Sequence, residues 1–236
     1  MTNHARTASN RRDGAPGPLL GWVALAFAAA CPLPALAAGG HHAVDDAAIL
    51  DAGFCKAEGW ASRATDGTRG LHVGNGCRLG PVEVSIGFDR ARGDEGTTRN
   101  AGLQLKWATE VAPGLSAGLS LAPGWSPGAR PRERSTTLTG LLTGSVGETV
   151  RWHVNLGRAL NNPGADETRG GISADWTFRP GWQVMAERYK QDGGHFARAG
   201  LRWQPADGWT LDLTRALRVA GAGAAATTLG FTFEFD

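Results

Sequence analysis

The side chains best suited to chemistry fall in two groups. The first is the run Gly39-Gly40-His41-His42-Ala43-Val44-Asp45-Asp46. Imidazole and carboxylate donors suit zinc, copper or nickel, so His41, His42, Asp45 and Asp46 form a candidate divalent-metal set. A competing reading makes Asp45-Asp46 the start of a short helix ending near Leu50, where carboxylates favour the positive end of the helix dipole. The segment is then a tether or plug. The second group is dispersed and comprises Glu83, Lys106, Arg151, His153, Asp175, Glu187, Arg198, Arg202, Asp212 and Glu234. Four are cationic and five anionic when His153 is neutral. Mixed signs fit a salt-bridged interior. They also fit a pore in which Arg151, Arg198 and Arg202 line a path for anionic or zwitterionic solutes, because guanidinium groups pair well with carboxylate and phosphate.

Catalysis finds less support. Lipid-ester hydrolysis needs a nucleophilic serine within hydrogen-bond reach of a histidine. His153 is followed by Val154-Asn155, no His-x-Ser pair occurs, and Ser145 across the next turn is the best available partner. The chain is read as a non-enzyme.

What positions the second group is a two-residue alternation that recurs along most of the chain. Val82, Val84, Ile86 and Phe88 alternate with Glu83, Ser85 and Gly87, and Leu103, Leu105 and Trp107 alternate with Gln104 and Lys106. Val150, Trp152, Val154 and Leu156 oppose Arg151, His153 and Asn155, while Ile172, Ala174, Trp176 and Phe178 oppose Ser173, Asp175 and Thr177. Ala197, Ala199, Leu201 and Trp203 oppose Arg198, Gly200 and Arg202, and Trp209, Leu211 and Leu213 oppose Thr210 and Asp212. Such alternation marks strands with one apolar and one polar face. Leu115, Ala117, Leu119 and Leu121 alternate in the same way with Ser116, Gly118 and Ser120, as do Leu229, Phe231, Phe233 and Phe235 with Gly230, Thr232 and Glu234. With segments at 54–63, 70–79 and 182–189 and the weaker 135–146, twelve strands of about ten residues result, the length a tilted strand needs to cross a bilayer. Ten strands is the alternative, because the first hairpin and the 135–146 segment are least regular.

The connections alternate in length. Short turns fall at Gly80-Pro81, Pro113-Gly114, Gly147-Glu148, Pro180-Gly181 and 205–208, and longer polar loops at 90–100, 122–134, 158–170, 190–194 and 218–225. Arg202 and Asp212 flank the 205–208 turn as cross-strand or diagonal neighbours on one face. An even-stranded membrane barrel needs this pattern, with short turns and both termini on the periplasmic side. Trp107, Trp152, Trp176, Trp182, Trp203 and Trp209 share the apolar parity near the short turns. Indole there forms an interfacial girdle, its apolar body in lipid and its N–H toward water.

Residues 1–37 are read as a signal peptide. Arg6, Arg11 and Arg12 precede an apolar run over 19–30, and Ala35-Leu36-Ala37 supplies the small residues for cleavage. Ala28-Ala29-Ala30-Cys31 loosely resembles a lipobox, which would instead make Cys31 a lipid-bearing first residue. Three arginines and one aspartate leave with the leader, so the net charge falls from +2 to 0 and no nucleic-acid footprint remains. Cys55 and Cys77 are equidistant from Asp66 in a hairpin centred on Asp66-Gly67. In an oxidising compartment they are expected to form a disulfide.

The whole mature chain resembles a Gram-negative outer-membrane barrel, and Phe231-Thr232-Phe233-Glu234-Phe235 resembles the C-terminal signal read by the barrel-assembly machinery. Asp236 follows the phenylalanine that usually ends such chains, and Tyr189 is the single tyrosine where such barrels are often tyrosine-rich. In size and arginine content the lumen also resembles, in type only, twelve-stranded channels for acidic oligosaccharides. The expectation is an all-β, antiparallel up-and-down transmembrane barrel over 53–236, preceded by a short periplasmic segment over 38–52. It would sit in outer-membrane lipid as a porin-like channel for small polar or anionic solutes. The rival is a non-conducting structural, adhesive or metal-binding barrel.

Overall fold

A computed structural model describes residues 41–128 and 133–236. The expected leader, its cleavage site and the Cys31 alternative lie outside the described residues. Twelve strands follow in order: β1 (Cys55–Ala64), β2 (Arg69–Leu79), β3 (Val82–Gly93), β4 (Gly96–Ala112), β5 (Leu115–Ser126), β6 (Glu133–Val146), β7 (Val150–Asn162), β8 (Glu167–Arg179), β9 (Trp182–Gln191), β10 (Gly194–Trp203), β11 (Trp209–Gly221) and β12 (Ala226–Phe235). Each pairs antiparallel with its sequence neighbours, and β1 closes on β12 from Cys55↔Phe235 to Ala64↔Ala226. Closure leaves no unpaired sheet edge in the membrane. The up-and-down transmembrane barrel and its strand number are as expected.

The turn residues explain the sharp reversals. Gly80, Gly114, Gly147, Gly181 and Gly208 all have positive φ, between 62° and 75°, where a side chain would be strained. Both barrel ends, Cys55 and Phe235, lie on this short-turn side. Cys55 stands directly opposite Cys77 on β2 and is joined to it by a disulfide.

The irregular 135–146 segment is a full strand, β6, paired along both edges. Its pattern is blurred because Leu138 faces outward, 54% exposed, while Leu141 is buried on the inward side. The loops expected at 90–100, 122–134 and 158–170 are largely ladder instead. Pairing of β3 with β4 continues through Arg90↔Arg99, Ala91↔Thr98 and Arg92↔Thr97, where β-branched threonines favour extended backbone.

The outer wall is apolar, with Leu71, Phe88, Leu119, Leu156, Ile172, Leu213 and Leu229 each more than half exposed. Trp107, Trp176, Trp203 and Trp209 are exposed on it, and Trp152 and Trp182 are half-buried. Trp182 pairs with and stacks on Trp203, and Trp209 stacks on Phe233. The interior is the reverse of a soluble core, since its most buried side chains include Arg202, His153, Glu83, Asp46 and Asp212.

Candidate functional site

Residues 41–50 lie inside the barrel, the plug of the two non-metal readings, while 51–54 are exposed and lead to β1. Val44, Ala47 and Leu50 are 2–3% exposed and Asp46 is fully buried. No helix forms here. An extended segment without a sheet partner must satisfy its peptide groups elsewhere, and lumen side chains do so. Val44 N–H donates to the Glu187 carboxylate at 3.0 Å, Ala47 N–H to the Thr143 hydroxyl at 2.7 Å, and Leu50 N–H to Glu83 at 3.1 Å. Arg78 donates to the Leu50 carbonyl at 3.0 Å, and Arg198 donates to that of His41. With its amide turned to match donors to acceptors, Asn155 bonds both the N–H and the carbonyl of Asp45, at 2.6 and 2.9 Å. Gly171 makes room as well, because a Cβ there would stand 2.8 Å from the Val44 side chain.

Charge locks the same segment. Lys106 on β4 bonds Asp45 at 2.9 Å and Asp46 at 3.0 Å. Burial pushes the Asp46 carboxyl upward, but Lys106, Arg151 and His153 outweigh this and hold it at about 2. Burial, reinforced by His42, Arg198 and Arg202, lowers the His41 imidazole to about 2, so it is neutral.

Most of the expected lumen residues are gathered here. Glu83, Lys106, His153, Asp175, Glu187, Arg202 and Asp212 are buried inside the barrel, while Arg151 and Arg198 are half-buried. Each of the three arginines of the supposed anion path holds a carboxylate. Arg202 is bidentate on Asp212 at 2.7 and 3.2 Å, Arg198 meets Glu187 at 2.8 Å, and Arg151 meets Asp175 at 3.5 Å. The metal set is not brought together as expected. Asp45 and Asp46 turn to Lys106, whereas His42 faces Glu187 at 3.9 Å and Asp212 at 4.0 Å. His41, His42 and Asp212 instead present donor atoms all within 4.8 Å of one another.

His153 does not partner Ser145. Its Nδ1 meets the Thr143 hydroxyl at 2.8 Å and its Nε2 meets Asp175 at 3.1 Å. The hydroxyl–imidazole–carboxylate order resembles a catalytic triad, but the threonine oxygen already accepts the Ala47 amide beneath the plug.

On the loop side of the segment opens a polar vestibule of about 840 Å³, with His42 and Asp45 in its floor and Gln104, Asn155, Arg169 and Asp192 among its walls. Between the segment and the wall near His153 and Arg202, free space is about 10 Å³, room for no more than one water. Trp60 and His72 were not anticipated as lumen residues. They stack at 3.5 Å between ring centres in the vestibule wall, and His72 bonds Asp89 at 2.7 Å. The signal was present, since Lys56, Glu58 and Trp60 share one parity on β1. Lys56 holds Glu83 at 2.9 Å.

Fold and interior together define an outer-membrane-type barrel closed by its own N-terminal segment. The chain belongs to the family described as Uncharacterised conserved protein UCP029691, whose model matches residues 25–235. Among solved structures it is similar to the KdgM porin, with TM-score 0.59 and 10% identity over 77% of this chain and 99% of that one. It is also similar to the NanC porin, with TM-score 0.55 and 7% identity over 76% and 98%. At these identities the likeness is one of fold. No curated protein matches by sequence.

Proposed function

We propose that this chain is a porin-like barrel of the Gram-negative outer membrane that admits small polar solutes to its vestibule and passes them when residues 41–50 leave the lumen. The observation that carries the reading is the chemistry of the seal. A purely structural plug would bury apolar surface against an apolar wall. This one is held by ion pairs and by amides donated to Glu83 and Glu187, bonds that water replaces when the lumen floods.

Charge in the vestibule is balanced, with Lys56, Lys106, Arg134 and Arg169 against Asp45, Glu58, Asp89 and Asp192. With Arg151, Arg198 and Arg202 already neutralised, uncharged or zwitterionic solutes suit the lumen better than free anions. The short turns and both barrel ends face the periplasm. The tryptophan belt then marks the inner interface, and the strand ending at Phe235 serves as the assembly signal. A metal, where one binds, uses His41, His42 and Asp212 without Asp45 and Asp46. The seal also favours the rival reading, in which the barrel never conducts and the vestibule is a receptor surface.

Planar-bilayer recordings separate the two. Folded wild-type protein should be closed for most of the time, and a variant lacking residues 41–50 should conduct steadily with weak ion selectivity. A deletion variant that is folded yet sealed at all voltages would overturn the channel reading. Strong anion selectivity would overturn the solute class.

A further inference from the structure

At its loop end the outer wall of β1 to β4 carries a cluster of cations. On β1 to β4 the outward-facing parity changes from apolar to cationic within one or two positions: Ala61 to Arg63, Leu71 to Arg69, Phe88 to Arg90 and Arg92, and Ala101 to Arg99. All five arginines are exposed. The registers set them side by side, Arg63 opposite Arg69, Arg69 opposite Arg92, and Arg90 opposite Arg99. Like charges directly opposite one another repel. Among the described residues no carboxylate forms an ion pair with any of the five. Asp66 accepts the Thr68 amide, Asp89 bonds His72 in the lumen, and Asp94 and Glu95 occupy the turn beyond Arg92.

A crevice of about 360 Å³ adjoins the lower pair, lined by Leu71, Val73, Phe88, Ala101 and Pro127 together with Arg90 and Arg99, and by Asn100 and Asp89, whose carboxylate is engaged by His72. Apolar walls below and paired guanidinium groups above match an acyl chain joined to a phosphate. Guanidinium forks bind phosphate oxygens in pairs, and the arginines stand where the apolar band ends, at headgroup height. A soluble polyanion would leave the crevice unused.

We propose that this face of β1 to β4 holds a phosphorylated glycolipid of the outer leaflet. One acyl chain lies in the Leu71–Phe88 crevice, and phosphates bridge Arg90–Arg99 and the Arg63–Arg69–Arg92 row. The assignment rests on the orientation given under the proposed function, with the loops outside.

Native mass spectrometry of the folded protein with diphosphorylated lipid A, with the same lipid stripped of phosphate, and with phosphatidylglycerol tests it. Lipid A should be retained, and binding should fall about thirty-fold in the double variant R90Q/R99Q. It should fall similarly on loss of the lipid phosphates, and R188Q, also exposed on the outer wall, should leave it unchanged. Equal retention by R90Q/R99Q, equal binding of the dephosphorylated lipid or of phosphatidylglycerol, or displacement by matched inorganic phosphate would each overturn it. Heat-modifiable migration verifies that every variant is folded. An epitope inserted between Asp66 and Gly67 reports orientation on intact cells independently of conductance. A hidden epitope would overturn the outer-leaflet assignment, whereas an exposed epitope with a sealed pore would remove only the channel reading.

Discussion

Replacing Lys106 by methionine removes the ammonium that holds both aspartates of the plug while keeping a side chain of similar length on β4. Asp46 is fully buried and its 3.0 Å bond to Lys106 is matched by one of 2.9 Å from Asp45. Breaking a buried pair from one side costs about 3–5 kcal/mol, because the remaining charge is stranded. Most of that cost falls on the closed state, since a flooded lumen hydrates the freed carboxylates. The ratio of open to closed barrels should rise roughly 10²- to 10³-fold, at about 1.4 kcal/mol per factor of ten. The amides of Val44 and Leu50 still bind Glu187 and Glu83, so the segment should flicker and not vanish. Single-channel open probability measures the shift, with K106R as a control that retains the charge. A folded K106M barrel with wild-type open probability would refute the argument that Lys106 is the latch.

Acid should act on the two arms of the latch in turn. Burial raises the Asp45 carboxyl above its ordinary range, so its bond to Lys106 weakens first as pH falls. The Asp46 carboxyl is held at about 2, below its ordinary 3.8, so its stabilisation is complete above pH ~5 and is lost as pH falls toward 2; in a D45N variant, which leaves only that arm to titrate, opening already at pH 6 would contradict this. Gly144 lies beneath the Trp152 indole, where a Cβ would come within 2.2 Å of the ring. The variant G144A should lose about 1–3 kcal/mol of barrel stability, read as a lower midpoint of heat-modifiable migration, and an unchanged midpoint would count against the contact. Zinc or copper added to the folded protein should bind through His41, His42 and Asp212, with calorimetric heats that disappear in H41A/H42A. Heats unaltered by that double substitution would exclude the site.

The barrel was legible because its pattern is local. Alternation, glycine turns and the symmetric placing of Cys55 and Cys77 about Asp66 each involve residues joined by one or two strands, and Arg202–Asp212 follows from a single turn. A plug was one of two readings of the N-terminal segment, but its extended form and its socket were not legible, for the opposite reason. Val44 finds its acceptor at Glu187, 143 residues away, and Ala47 finds its own at Thr143, 96 residues away. Apolar residues at 44, 47 and 50 also imitate a helical spacing, although each is buried by a different part of the wall. One trace of the plug was present in composition: the inward parity carries more acids than bases, and two of those acids, Glu83 and Glu187, accept its amides. The vestibule stack was missed because Trp60 belongs to the weakly alternating first strand.

The disulfide at the foot of β1 sets how the plug can move. Cys55, the first residue of β1, is covalently tied to β2 as well as hydrogen-bonded between β2 and β12, so residues 41–54 are fastened to the rim at one end. A chain of that length spans at most about 50 Å when fully extended, which keeps a displaced segment within reach of its socket. Its return is then intramolecular, at an effective concentration on the order of millimolar. On the proposed channel reading the closure is a captive stopper that reseats itself, and a free peptide copying 41–54 would have to be supplied at about millimolar concentration to rival it.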